Sequence, residues 1–228
     1  MADPARAPQD AVAAAMEDAA ALGGFFAMRT GGPGEGWHPV QESYARGFAD
    51  LATAVADRYR TRDPRVGVSI AQLGHAARLW SPVLACALLH GIVLDLDALQ
   101  RADTGSALRL PHPAGWYADR LPHREHALST EVMGHLAALE AGLDVKIAPR
   151  LLDGNAASAL AGSAGVLLAA RPGLRTPLTR LVTRLLGTGR LVGTGSLTGP
   201  DLAFRRRSCC LYYRTPAGSK CGDCCFAD

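Results

Sequence analysis

The sequence predicts an α+β fold in which helices dominate, with a small antiparallel sheet or hairpin and a cysteine-bearing C-terminal tail. Three observations carry that expectation. Apolar residues recur at three- and four-residue intervals over much of 42–90. Glycine and proline punctuate the chain at helix-length spacing. The one clearly alternating stretch, Leu108 to Trp116, is interrupted by proline, as befits an edge strand or hairpin. No internal repeat is visible. With 228 residues, 48% hydrophobic and 20% charged, the chain is one large domain or two small ones whose core needs no staples.

Taken in order, residues 1–24 read as an alanine-rich helix fraying into Gly23-Gly24, and 30–36 as a glycine-rich loop. Tyr44, Phe48, Leu51, Val55 and Tyr59 place one amphipathic helix over 42–60. A second spans Val66 to Leu79, and Pro82 is expected to start a third that ends near His90-Gly91. Asp95 to Arg101 reads as a short helix. Ser129 opens another, stopped by Gly142. Past Pro149, Asp153 or Asn155 is expected to cap a helix of small residues, 156–168. Pro172 starts the next, which Gly187 ends, and 187–199 reads as a loop or short hairpin.

Net charge is only +3, but arginine is unevenly placed. Between 171 and 207 there are eight arginines against one acid, Asp201. Such a belt is either a solvated face or a surface for an anionic partner. Nucleic acid is not expected, because aromatics are not interleaved with the arginines and no DNA- or RNA-binding motif appears. The apolar run 80–94 is interrupted by Pro82, His90 and Gly91, so no transmembrane segment is expected there. Residues 1–21 show no basic region followed by an apolar one, which makes a cytoplasmic, reducing setting the expectation. No Gly-x-Gly-x-x-Gly follows a strand, so no internal nicotinamide or flavin domain is expected.

Five of the six cysteines fall in the last twenty residues: Cys209, Cys210, Cys221, Cys224 and Cys225. In a reducing compartment such a cluster reads as metal ligands before disulfides. Three chemistries compete: a structural zinc site, an iron–sulfur cluster, and a redox disulfide in Cys221-Gly-Asp-Cys224. The disulfide wants a βα turn that the tail does not offer. Vicinal Cys209-Cys210 is an awkward chelate for one tetrahedral ion and a less awkward one where two irons share the ligands. Spacing does not assign a cysteine to an iron.

The pattern Cys-Cys, ten residues, Cys-x-x-Cys resembles the FhuF-type ferric-siderophore reductases. The likeness includes Arg205-Arg-Arg-Ser-Cys-Cys-Leu-Tyr-Tyr-Arg214 and Cys221-Gly-Asp-Cys224, and extends upstream to Gln72-Leu-Gly-His-Ala-Ala-Arg-Leu-Trp-Ser-Pro-Val83 and Gly154-Asn-Ala-Ala-Ser-Ala-Leu160. It thus runs over about 60–228. One departure is Cys225, where the family has a non-ligand. The resemblance implies a [2Fe-2S] cluster on Cys209, Cys210, Cys221 and Cys224 and a cytosolic one-electron reductase acting on a bound ferric siderophore. An external donor such as a ferredoxin or flavodoxin would supply the electron. On this reading 1–60 is an N-terminal helical region, 61–204 a helix-rich scaffold carrying the substrate region, and 205–228 the cluster segment.

Arg205, Arg206, Arg207 and Arg214 would offset the cluster's negative charge and contact substrate. Arg78 and Trp80 are candidates to meet a ferric chelate, by charge and by indole contact. Against them stand plainer readings: Trp80 as core, Arg78 as a salt-bridged side chain, His75 as a satisfied structural histidine, and Cys86 as a buried small hydrophobe. His112, His123, His126 and His135 show no chelating partner set. Two other functions remain open: an electron-transfer or redox-sensing iron–sulfur protein without siderophore activity, and a zinc-stabilised siderophore-binding module.

Overall fold

A long buried helix explains most of the architecture. The computed structural model describes residues 5–199 and 201–226. Asp63 accepts the Arg65 amide at 3.1 Å, Pro64 supplies a preset first-turn φ, and the helix α4 runs from Pro64 to Leu89. Gly91, at φ +64°, turns the chain away. The expected division at Pro82 does not occur. Pro82 lies inside α4, where an interior proline costs about 3 kcal/mol. Burial of Leu79, Trp80, Val83 and Leu84 on both sides offsets that, at about 1.5–3 kcal/mol for each large side chain.

Helix α6 (Pro149–Ala170) packs along α4, and the Ser81 and Ser163 hydroxyls bond across the seam at 2.8 Å. It is the one helix among the described residues long and apolar enough to cross a membrane, but 78% of that stretch is buried inside the fold. Asp153 and Asn155, expected as caps, lie within α6 and are buried, because the helix already starts at Pro149.

Around this pair sit α1 (Gln9–Ala20), α2 (Val40–Ala45), α3 (Ala49–Arg58), α5 (Arg124–Ala141) and α7 (Arg175–Leu186). The helix expected over 42–60 is two helices, α2 and α3. Gly47 (φ +57°) and Phe48 (φ +54°) break it, and a Cβ at Gly47 would collide with the Gly142 carbonyl at the end of α5. α7 begins three residues after Pro172, which opens a 3₁₀ turn instead, and α5 begins five residues before Ser129.

The strands are short. β1 (Arg29–Thr30), β2 (Trp37–Pro39), β4 (Gln100–Ala102) and β5 (Leu108–Leu110) form one sheet ordered β1-β5-β4-β2, antiparallel except for the β1–β5 pair. β3 (Ile92–Leu94) pairs with β6 (Gly115–Tyr117), and β7 (Gly195–Thr198) with β8 (Ala203–Arg206). Within Leu108 to Trp116 the expected hairpin is present, since β5 pairs antiparallel with β4 across the 103–107 loop, but β5 is not an edge strand. The segment's prolines separate an inner strand of one sheet from a strand of another. The short helix expected at 95–101 is instead a turn leading into β4, whose Arg101 pairs with His38 of β2.

Among the polar groups buried in the core is a tyrosine–histidine cluster. The Tyr44 hydroxyl bonds His75 Nε2 at 2.7 Å and His135 Nδ1 at 3.0 Å, which makes His75 a satisfied structural histidine. Burial holds both imidazoles below their usual value, His75 well below it. The unfolded chain therefore takes up protons at pH values where the folded chain refuses them. The stability contribution is complete above about pH 6.5 and is lost as pH falls towards the depressed folded values. Melting temperature is expected to drop between about pH 7 and pH 5. Tyr44→Phe, which leaves both rings short of a partner, is expected to lose about 1–3 kcal/mol at neutral pH. Chemical denaturation measures the second, and a flat pH profile would exclude the first.

Candidate metal centre

The cysteine segment is pinned at both stations to the scaffold. β8 delivers it: the Arg207 amide donates to Thr194 O at 2.8 Å, and the Arg206 amide to Asp223 O at 3.1 Å. The second bond ties the later cysteines back to the strand that precedes the earlier ones. After Cys210 the chain turns through Leu211, at φ +69°, into a 3₁₀ turn at Tyr212–Arg214. The Cys224 amide then donates to Cys221 O at 3.0 Å and closes a turn over Gly222-Asp223.

Helices α4 and α6 supply the wall behind it through a chain of buried bonds. Ser69 Oγ donates to Cys210 O at 2.8 Å. Asn155 Nδ2 donates to Ser69 O at 2.9 Å and to its Oγ at 3.1 Å. Arg206 Nη2 donates to Asn155 Oδ1 at 2.6 Å. Beside Asn155, a Cβ at Gly154 would collide with Ser208 Oγ, so the glycine leaves room for the tail to lie against α6. Gln72 adds a buried bond from α4 to Leu152 O of α6, at 3.3 Å. The segments 72–83 and 154–160 lie on α4 and α6, the two helices that meet the tail through Ser69, Gly154 and Asn155.

Cys210 and Cys221 are brought together, with their sulfurs 3.6 Å apart. Two ligands of one tetrahedral ion, with metal–sulfur bonds of about 2.3 Å, stand about 3.8 Å apart, so this pair has the bite of a shared metal. Cys209 Sγ accepts the Leu211 amide at 3.2 Å, and Cys224 Sγ the Phe226 amide at 3.4 Å. Such N–H···S bonds stabilise sulfur that carries negative charge. Cys210 and Cys224 are buried, while Cys209, Cys221 and Cys225 are half-buried, and all are free thiols. Burial pushes the Cys209, Cys221 and Cys225 thiols up, and neighbouring sulfurs add to it. Among the described residues no three His, Cys, Asp or Glu side chains are gathered to hold one ion.

The surroundings also suit an anionic group. Eight buried side-chain atoms among the described residues lack a protein partner. Five of them belong to the cysteine segment: Arg206 Nε and Nη1, Ser208 Oγ, Thr215 Oγ1 and Asp223 Oδ2. Four of the five are donors or can donate, and two of these belong to the guanidinium of Arg206, a residue only 2% exposed. Buried donors without acceptors are costly unless a partner completes them, and sulfur of a bound cluster is such a partner.

Residues 206–226 match the family model described as the FhuF 2Fe-2S C-terminal domain. The tail is an FhuF-type [2Fe-2S] segment. Its cofactor is therefore a [2Fe-2S] cluster, and the donors just described fit that group. No curated protein matches the chain. The FhuF match covers the cysteine segment and β8's last residue.

Other expected residues fall in different places. Arg206 is buried against Asn155, because β8 turns it inward. Trp80 is fully buried in the core beneath α4 and offers no indole face to a ligand, so Arg78 and Trp80 do not form one surface. Arg78 lines a cleft instead, with its guanidinium 4.9 Å from the Phe25 ring. Arg205 is half-buried in β8, Arg207 is exposed, and Arg214 lies 3.4 Å from Asp63. Cys86 is buried in α4, with its thiol pushed up to about 12.

The arginine belt is largely a structural lattice. Arg175 pairs with Asp201 at 3.2 Å and Arg184 with Glu125 at 2.7 Å, while Arg190 bridges Glu140 and Asp153. The sequence reading missed Ser69, for which no local signal exists. It also missed the bonding role of Asn155, which its position six residues into a helix begun at Pro149 signals.

Proposed function

We propose that Cys209, Cys210, Cys221 and Cys224 hold the [2Fe-2S] cluster of a cytosolic ferric-siderophore reductase, with Cys225 as a bystander. The observation that carries this is the FhuF-type cysteine segment seated on a buried, positively charged wall. When bound, the cluster supplies a one-electron carrier. The chain's own residues position and tune it: Arg206 places a buried cation beside the site, and amides at Leu211 and Phe226 donate to sulfur. Positive charge and N–H donors favour the reduced form and raise the potential. Ferrous iron binds hard oxygen ligands far more weakly than ferric iron, so one-electron reduction of a bound ferric siderophore releases the metal. The external donor is a small acidic electron carrier such as a ferredoxin or flavodoxin, met by exposed Arg207 ahead of the first cysteine pair and exposed Lys220 ahead of Cys221.

Protein purified without oxygen is expected to absorb in the visible and to contain equal iron and inorganic sulfide. When reduced, it is expected to be reoxidised on mixing with a ferric hydroxamate, catecholate or citrate complex. A colourless preparation with zinc and no sulfide sinks the proposal. A coloured protein that none of the three complexes reoxidises makes it an electron-transfer or sensing protein instead.

A further inference from the structure

Two cavities run side by side along a half-buried face of α4, on the flank that carries the cysteine turn. The first, about 280 Å³, is lined by Arg58, Tyr59, Arg78, His75 and Arg101, with no carboxylate in its wall. Arg101 is neutralised by Asp50. Arg58 and Arg78 make no ion pair among the described residues, and Arg78 is partly desolvated, which lowers its pKa. An unpaired guanidinium in a partly desolvated wall favours an anion. His75, held neutral by burial, adds no charge to the site. The second cavity, about 470 Å³, lies between α4 and α6. Its wall is Leu22, Ile70, Leu73, Ala77, Ala159 and Val166, with only serine hydroxyls as polar groups and no charged side chain. The two share Phe25, Ile70 and Gly74, so they form one trough that is cationic at one end and apolar at the other.

The cationic end adjoins the cysteines. Tyr59, in its wall, meets Tyr212 edge-on at 5.4 Å between ring centroids, and Tyr212 is two residues past Cys210. Ser69, next to Ile70 of the shared wall, holds the Cys210 carbonyl. A ligand head at Arg78 and Arg58 is therefore separated from the cysteine turn by the Tyr59–Tyr212 pair.

We infer that this trough binds an amphiphilic ferric chelate. Its anionic metal-bearing head lies at Arg58, Arg78 and Tyr59, and an acyl arm lies between α4 and α6. This rests on the reductase reading and names its substrate class. Phe25, 46% exposed at the junction and stacked on Arg78, would cover the point where head meets arm.

The test uses redox-inert gallium(III) complexes of a citrate-based dihydroxamate, with and without an acyl chain of about eight carbons, titrated calorimetrically into cluster-loaded protein. Each buried methylene tightens binding by up to about fourfold, so even a partly seated chain is expected to gain at least about tenfold. Gly162→Leu fills the apolar end at a helix position where an added Cβ meets nothing within 4 Å, and a better helix former replaces glycine. It is expected to erase the chain's advantage. Arg78→Gln is expected to weaken both complexes about tenfold or more, and Arg78→Lys to restore most of that. Equal affinity with and without the chain overturns the inference, as does binding of the free fatty acid as tight as that of its complex. Because gallium accepts no electron, these results stand apart from cluster content and from reoxidation by ferric complexes, which test the reductase reading itself.

Discussion

Cys210→Ser and Cys221→Ser are each expected to lose nearly all visible absorption after anaerobic reconstitution, while Cys225→Ser keeps it. Cys210 and Cys221 are the two sulfurs already at metal-sharing distance, 3.6 Å, and Cys210 is anchored through its carbonyl to Ser69. A serine oxygen at either place offers a harder, shorter ligand on the same backbone, and the bite is lost. Cys209→Ser and Cys224→Ser should follow the same course, since each of those sulfurs accepts a backbone amide that would stabilise a thiolate. Cys225 stands outside the Cys-Cys, ten residues, Cys-x-x-Cys pattern and is half-buried beside the buried Cys224. Iron and sulfide analysis with the visible spectrum reads the result. Because folded scaffold and cofactor stabilise each other, the ligand variants should also melt lower than reconstituted wild type but level with apo wild type. If Cys225→Ser bleaches the protein and Cys224→Ser does not, the ligand assignment moves by one residue.

The largest effect on stability is expected at Asn155. Its side chain accepts from Arg206 and donates twice to Ser69, with no exposure to solvent. Asn155→Leu keeps the branched outline of four heavy atoms, is bulkier, and makes none of the bonds. It leaves a buried guanidinium without its Asn155 acceptor, its side chain's only bond named among the described residues, and cuts the link through Ser69 to Cys210. Stranding one partner of a buried charged interaction costs about 3–5 kcal/mol. Urea unfolding measures it, and trypsin cleavage after Arg205, Arg206 or Arg207 reports release of the tail. The double variant Asn155→Leu/Arg206→Met removes the stranded charge along with its acceptor. It is expected to be more stable than Asn155→Leu alone, which a loss caused by packing would not produce.

The helical character and the cysteine chemistry were legible because each is written locally. Proline and capping aspartate mark the start of α4, glycines mark its end and that of α7, and the spacing of four thiols is a short-range fact. What could not be read was decided by distant residues. Pro82 stays inside α4 because the surrounding core outweighs the lost hydrogen bond, and the sequence near 82 says nothing about α6. The helix expected over 42–60 breaks where Gly47 must meet the backbone of Gly142. Arg206 looked like surface because arginines run on both sides of it, yet strand alternation turns it alone among 205–207 fully inward. Residue 155 carries the signature of a cap when read alone, and only the start of α6 at Pro149 converts it into a buried bridge.

The bond from Ser69 to Cys210 spans 141 residues of chain. A pocket with one wall at residue 69 and its thiols at 209–224 does not exist while the ribosome is still working on the middle of the molecule. Helices α4 and α6 emerge and can pair first, well before the first of the tail cysteines leaves the exit tunnel. Metal delivery is consequently a late maturation step on a chain whose scaffold is already folded. A truncation after β7 would take Leu202 and Phe204 out of the core along with the thiols, and leave nothing for an assembly factor to load.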